Sequence, residues 1–119
     1  MSAAVVPNAL GAQARQALLE REVARWLPLL IAHEHPDKII LFGSYASGDI
    51  QEWSDVDMVI IKEDEALFLE RIRRVLVLLQ PHVGLDVLVY TPDEYEQLRL
   101  SRAFVQQEII AKGIVIYER

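Results

Sequence analysis

Two adjacent residues and a nearby acidic pair are the part of this sequence best suited to chemistry. Gly43 and Ser44 stand together, and ten residues after them come Asp55 and Asp57, separated by a single residue. A glycine lets the backbone approach a ligand closely, and free amides at the start of a helix favour an anion. Ser44 adds a hydroxyl donor. The Gly-Ser pair therefore predicts a turn that binds phosphate.

A third acid, Asp86, lies in an apolar segment between Leu85 and Val87. Because side chains alternate across a strand, Asp55 and Asp57 are expected to project from one face. If the strands that carry Asp57 and Asp86 are neighbours in register, three carboxylates converge beside the Gly-Ser turn. At ~4–5 Å and an effective dielectric of roughly 20, each carboxylate pair would repel by roughly 3–4 kcal/mol.

The sequence offers no lysine or arginine close to these acids to offset that repulsion. Divalent cations would relieve it, and magnesium prefers oxygen ligands together with substrate phosphate and water. A phosphate-binding turn next to a magnesium-binding carboxylate cluster indicates phosphoryl or nucleotidyl transfer.

Taken singly, each of these signals has a plainer interpretation. Asp55 could cap a turn, and Asp57 could be an acid at a strand end. Asp86 could face solvent, because its position depends on the register of its strand. Gly43 and Ser44 could form an ordinary turn. Only the combination of residue types and spacing favours a catalytic site.

The elements that must position these residues follow from the apolar pattern. A first helix is predicted from Ala9 to about Trp26, and Pro28 is expected to kink or end it. Thr91 is a strong helix start, because Pro92 and Glu94 complete a capping box. The remaining predicted elements are strands over 38–42, 56–62, 85–90 and 114–117, and helices over 65–79 and 102–112. This order predicts an α/β fold with a small mixed sheet and flanking helices.

Composition narrows the class of protein. The chain has 119 residues, a net charge of −6, 52% hydrophobic residues and no cysteine. Disulfides and thiolate metal sites are therefore excluded, and direct nucleic-acid binding is not expected without a basic stripe. No apolar run approaches the ~20 residues that span a bilayer. A cytoplasmic protein without a membrane anchor is expected.

The spacing of Gly43-Ser44, Asp55-x-Asp57 and the later Asp86 resembles the DNA polymerase β nucleotidyltransferase superfamily, in particular its minimal nucleotidyltransferases, the antitoxin partners of HEPN-domain toxins. The resemblance runs from about Lys38 to Glu118. It implies a nucleotidyltransferase-like fold and one domain over 1–119. Within that domain, 1–35 is a helical segment, 38–90 the catalytic core, and 91–119 the C-terminal helices and short strand.

The resemblance also implies roles for individual residues. Asp55 and Asp57 would hold two magnesium ions, Asp86 would bind the catalytic metal and help activate the attacking hydroxyl, and Gly43 and Ser44 would bind the terminal phosphates of ATP. AMP would pass to a tyrosine of a HEPN toxin and silence its RNase activity.

Two features separate this chain from its relatives. Ser47 stands where many of them have a basic residue, and the added domains that hold an acceptor in larger relatives are missing. The acceptor surface would then come from a partner or a second copy, in a homo- or hetero-oligomer. Two alternatives are an antitoxin that works by binding alone and an enzyme that modifies a small molecule such as an aminoglycoside.

Overall fold

The fold is a four-stranded mixed sheet with helices on both faces. The computed structural model describes residues 7–119, and side chains from residue 11 onward. Residues 1–6 of the predicted N-terminal segment lie outside this range. The strands are β1 (Lys38–Phe42), β2 (Val56–Ile61), β3 (Leu85–Tyr90) and β4 (Ile114–Glu118), in the order β3-β2-β1-β4. The predicted fold class is confirmed.

Strand pairing fixes which residues meet across the sheet. β1 runs antiparallel to both β2 and β4, whereas β2 and β3 are parallel. Parallel neighbours need a crossover connection, and a helix between the two strands supplies it. The helices are α1 (Pro7–Glu34), α2 (Gly43–Ser47), α3 (Phe68–Leu79) and α4 (Pro92–Ser101), followed by a π-helix (Val105–Ile110).

Each face of the sheet buries its own apolar core. On one face, α1 and α3 cover the sheet, and the core there includes Leu19, Trp26, Leu30, Val75 and Leu79. On the other face, α4 and the π-helix pack against Ile40, Phe42, Val59 and Ile61. Because strand side chains alternate between faces, Asp57 shares the second face with Val59 and Ile61. Within the described residues, no helix is both long and apolar enough to cross a membrane.

Pro28 does not end the first helix, which was one of the two effects predicted for it, and the predicted helix end near Trp26 is wrong. The helix runs on to Glu34 with Pro28 inside it. Pro28 is exposed, whereas Trp26 and Leu30 on either side are fully buried. Proline costs a helix one backbone hydrogen bond. Here the carbonyl that loses its partner lies on the solvent side, and apolar packing on the other side holds the helix together.

Two other helix boundaries differ from prediction. α3 begins at Phe68 rather than Glu65, because the Asp64 side chain accepts a hydrogen bond from the Ala66 amide (2.9 Å) and forms a local turn instead. The predicted helix over 102–112 is a π-helix over Val105–Ile110, with the Ala111 amide donating to the carbonyl of Gln106. The Thr91 capping box is confirmed, with both reciprocal hydrogen bonds present.

A buried charge network fastens α1 to the rest of the fold. The Glu34 side chain is only 4% exposed and accepts hydrogen bonds from Lys62 (2.9 Å) and Arg74 (3.1 and 2.9 Å). Asp64 pairs with the same two cations. Burial opposes ionisation of Glu34, but the hydrogen bonds from Arg74 and Lys62 outweigh it and lower the pKa of that carboxyl. The network therefore joins the end of α1 to β2 and α3.

Candidate active site

Asp57 and Asp86 lie directly opposite each other on neighbouring strands. Each is the second residue of its strand, and the parallel register of β2 and β3 pairs them. Residues paired in this way point to the same face of the sheet. The predicted adjacency of the two strands is therefore correct, and the two carboxylates meet.

The surroundings of Asp57 raise its pKa. Burial, the charge of Asp86, a hydrogen bond with Asp86 and the charge of Asp55 together raise the pKa of Asp57 to about 6. Phe42 is the β1 partner of Asp57, and its ring packs edge-on against Phe104 at 5.8 Å, so the apolar layer ends beside this acid. A nearby like charge and burial both disfavour the charged form of a carboxyl group, which is why Asp57 releases its proton at a higher pH than a free aspartate.

Gly43 leaves the space that the Asp57 carboxylate occupies. A Cβ atom at Gly43 would lie 2.1 Å from Asp57 Oδ2 and 3.0 Å from its Cγ. The residue also has φ of +75°, a conformation that side chains rarely adopt. The sequence prediction assigned this glycine to close approach of a ligand, and the structure shows that it also admits Asp57.

Asp55 is near the pair but is held by a different partner. It precedes β2, its side chain is 49% exposed, and its Oδ1 accepts a hydrogen bond from Arg15 Nη2 at 3.1 Å. A Cβ atom at Gly84 would lie 2.3 Å from its carboxyl carbon. No basic residue lies close to the acids in the sequence, but in the fold Arg15 on α1 reaches Asp55 from 40 residues away and offsets its charge.

The three acids are not assembled as a ready-made ligand set. Within the described residues, no three Asp, Glu, His or Cys side chains are arranged to hold a metal ion together. Asp57 and Asp86 come together, whereas Asp55 faces Arg15. The donors nevertheless fit magnesium by their chemistry. All are carboxylate oxygens, which are the ligands that this hard cation prefers.

Ser44 fastens the loop that carries Asp55. Its Oγ donates to Ser54 Oγ at 3.1 Å, and the Gln51 amide donates to that same oxygen at 2.8 Å. Ser54 is only 5% exposed. Ser44 therefore has a structural partner in addition to its predicted contact with phosphate.

A small cleft opens beside the Gly-Ser turn. Its volume is about 280 Å³, and its lining residues are Gly43, Ser44, Ser47, Asp49, Glu108 and Lys112. Lys112 Nζ pairs with Glu108 Oε2 at 2.9 Å. A larger cleft of about 500 Å³ lies around Phe68 and Tyr90, at the opposite end of β3 from Asp86. The small cleft is the one next to the acids.

Sequence reasoning missed Arg15 and Lys112. Neither lies near the motif in the chain, and each comes from an element on a different face of the sheet. No local pattern marks them, because their positions depend on how α1 and the π-helix pack.

The sequence is similar to those of known proteins. Residues 27–119 match the family described as "Polymerase beta, Nucleotidyltransferase". A Methanocaldococcus jannaschii protein named "Putative protein adenylyltransferase MJ0141" is 36% identical over 53 residues, which make up 44% of this chain and 54% of that protein. This chain therefore spans about half the length of the curated relative that it matches.

One solved structure shows a similar fold. A crystal structure described as "a putative nucleotidyltransferase from Sulfolobus solfataricus" superposes with a TM-score of 0.65, at 17% identity, over 92% of this chain and 88% of that one. A structure described as "the toxin-antitoxin with AMP-PNP" gives 0.48, at 21% identity, over 84% and 73%. The family match, which covers well over half of the sequence, confirms the predicted relationship: this chain belongs to the polymerase beta nucleotidyltransferase family.

Proposed function

We propose that this chain is a magnesium-dependent nucleotidyltransferase that moves AMP from ATP to a hydroxyl group. The observation that carries the proposal is the Asp57–Asp86 pair, set beside Gly43 and Ser44 in a chain of this family. Perturbed carboxylates next to a cleft are a frequent mark of catalytic sites. A purely structural role would not favour two facing acids.

Each residue of the site would bind a different part of the reactants, according to its position. We propose that two magnesium ions bind at the site. Asp57 and Asp86 would hold them together with Asp55. Bound there, magnesium supplies positive charge against the triphosphate. Gly43 and Ser44 would contact the terminal phosphates in the adjoining cleft.

The reaction is an in-line displacement at phosphorus. The acceptor oxygen forms a bond to the α-phosphorus of ATP, the bond from that phosphorus to the pyrophosphate oxygen breaks, and pyrophosphate leaves. The acceptor hydroxyl gives up its proton, and we assign Asp86 to help activate that hydroxyl. Asp86 is exposed, so an acceptor can approach it.

A partner protein is the acceptor that we propose, namely a tyrosine of a HEPN toxin, with the chain acting as its antitoxin. The resemblance of the motif supports this, as does the name of the M. jannaschii relative, a protein adenylyltransferase. Trp53, which is 68% exposed two residues before Asp55, offers apolar surface beside the site.

The test is transfer of label from ATP. Purified chain, magnesium, α-labelled ATP and the candidate partner would be incubated together, and labelled protein would be separated on a gel. Transfer should disappear in the Asp57→Asn and Asp86→Asn variants.

Asp93→Asn is the matched control, because Asp93 is an exposed acid at the opposite end of β3. That variant should keep full activity. Label transfer that survives in Asp57→Asn would contradict the assigned role. A partner that binds all variants but is never labelled would instead favour an antitoxin that works by binding alone.

A further inference from the structure

Arg15 makes two contacts with the loop that leads into β2. Its Nε donates to the Ser54 carbonyl at 2.7 Å, and its Nη2 donates to Asp55 Oδ1 at 3.1 Å. The Arg15 side chain is 21% exposed, so it is largely shielded from water. The guanidinium therefore faces a buried backbone acceptor and a site carboxylate at the same time.

The contact with Asp55 has a consequence for cation binding. A guanidinium and a divalent cation both carry positive charge, and they would compete for the same carboxylate oxygen. Within the part of the chain whose side chains are described, Asp57 and Asp86 form no ion pair with a basic residue, and the pKa of Asp57 is raised by burial and by the neighbouring acids. Of the three acids, Asp55 is therefore the one whose availability depends on an arginine.

We propose that Arg15 is a positioning residue that holds Asp55 in the metal-free protein and that a divalent cation must displace its Nη2 to recruit that carboxylate. The inference rests on the proposed function, since it takes Asp55 as a cation ligand. The bond from Nε to the buried Ser54 carbonyl gives the guanidinium a second anchor, so its displacement from Asp55 need not detach α1 from the loop.

The experiment measures binding of Mn²⁺ alone, without nucleotide or partner, by calorimetry and by the loss of the free-ion signal in electron paramagnetic resonance. Arg15→Gln should bind Mn²⁺ on the order of 3–10-fold more tightly than the wild type, because the competing ion pair is gone. Arg15→Lys keeps the charge but loses the planar fork, so its affinity should lie between the two. A role in holding the fold alone would weaken binding instead.

Two controls isolate the direct contact. Arg21→Gln removes the same charge from an exposed position on the same helix, and it should change Mn²⁺ affinity by less than about twofold. In an Asp55→Asn background, Arg15→Gln should likewise have an effect of less than about twofold, because the shared partner is gone.

The outcomes separate this inference from the proposed function. In the first outcome, the wild type binds Mn²⁺ and Asp57→Asn does not, but Arg15→Gln binds Mn²⁺ no more tightly than the wild type. This result overturns the role of Arg15 and leaves the proposed metal site intact. In the second outcome, no protein binds Mn²⁺, although thermal melting shows that each one is folded. This result overturns both the role of Arg15 and the proposed function.

Discussion

Asp57 is an acid placed where the fold would be more stable without its charge. Its neighbours are the Asp86 carboxylate, the backbone at Gly43 and the apolar layer that ends at Phe42. Functional sites commonly retain groups that reduce stability. The charge of Asp57 should therefore lower the stability of the fold while it supports catalysis.

Asp57→Asn should make the protein more stable while abolishing transfer. The pKa of Asp57 rises from 3.8 to about 6 on folding, so the folded state binds more protons than the unfolded state between about pH 4 and 6. Stability due to this group is thus greatest at low pH and falls as pH rises through that window. Urea denaturation at pH 7.5 should show a gain on the order of 1–2 kcal/mol after allowing for solvent screening.

The gain in stability of Asp57→Asn should shrink as pH falls towards 4, because the wild-type Asp57 carboxyl is then protonated and carries no charge either. Asp93→Asn should show no such pH-dependent difference, because Asp93 is exposed and far from the pair. A variant that is less stable than the wild type at pH 7.5 would contradict the assigned electrostatic cause.

Gly43 and Gly48 allow steric crowding to be separated from backbone strain. Both have positive φ, +75° and +84°, but an added Cβ meets Asp57 only at Gly43 and meets nothing within 4 Å at Gly48. Gly48→Ala should lower the free energy of unfolding by about 1 kcal/mol, from strain alone. Gly43→Ala should cost roughly twice as much or more, since Asp57 must also move.

Thermal or chemical denaturation of the two variants measures the difference. Equal losses would show that Asp57 moves away from the added methyl group without cost. The Gly43 variant should also lose nucleotide transfer, whereas the Gly48 variant should keep most of it.

At the scale of elements, the network around Glu34 joins three of them: α1, β2 and α3. Removing one member of a buried ion network leaves the others uncompensated, which costs more than breaking an exposed pair. The placement of Arg15 depends on α1, so this network also serves the site indirectly.

Glu34→Gln should lower the free energy of unfolding by roughly 3 kcal/mol at pH 7. The pKa of Glu34 is lowered on folding, and that of Asp64 is lowered to about 2. The stability that these acids contribute is therefore present above about pH 4 and is lost as pH falls towards 2. The difference between wild type and variant should narrow over that window in urea titrations. Glu63→Gln, at an exposed neighbouring position, should change stability little at any pH.

Local patterns predicted the strands well and the ends of the helices poorly. β1 and β3 have the predicted limits, because short apolar runs between turn residues have few other ways to be buried. The meeting of Asp57 and Asp86 followed from β2 and β3 being neighbours in register, which was the condition stated from the sequence. Pro28 was misjudged because its effect depends on which side of α1 meets the core, and the contact between Arg15 and Asp55 depends on packing between distant parts of the chain.

In the molecule as a whole, the site lies where both helical layers reach the same end of the sheet. Arg15 arrives from the layer on one face, and Lys112 follows the π-helix of the layer on the other. A ligand bound between them would therefore contact elements from both layers. Binding should stabilise the entire fold rather than one segment.

Magnesium together with ATP should raise the melting temperature. At a ligand concentration of about 100 times Kd, binding adds about 2.7 kcal/mol, which corresponds to a shift on the order of 10 °C for a chain of this size. Asp57→Asn should abolish the shift, and Asp93→Asn should preserve it. A wild-type protein whose melting temperature does not respond to the ligand would contradict the proposed site.

The in-register pairing of Asp57 with Asp86 also limits the changes in chain length that the protein can tolerate before β3. One residue inserted in the turn between α3 and β3, if it shifts the register of β3 by one residue, would turn every β3 side chain to the opposite side of the sheet. Asp86 would then enter the core beneath α1 and α3, while Leu85 would take its place at the site. Insertions that shift this register should therefore disrupt folding and catalysis together, so random length mutagenesis should recover functional clones in which Asp86 still pairs with Asp57.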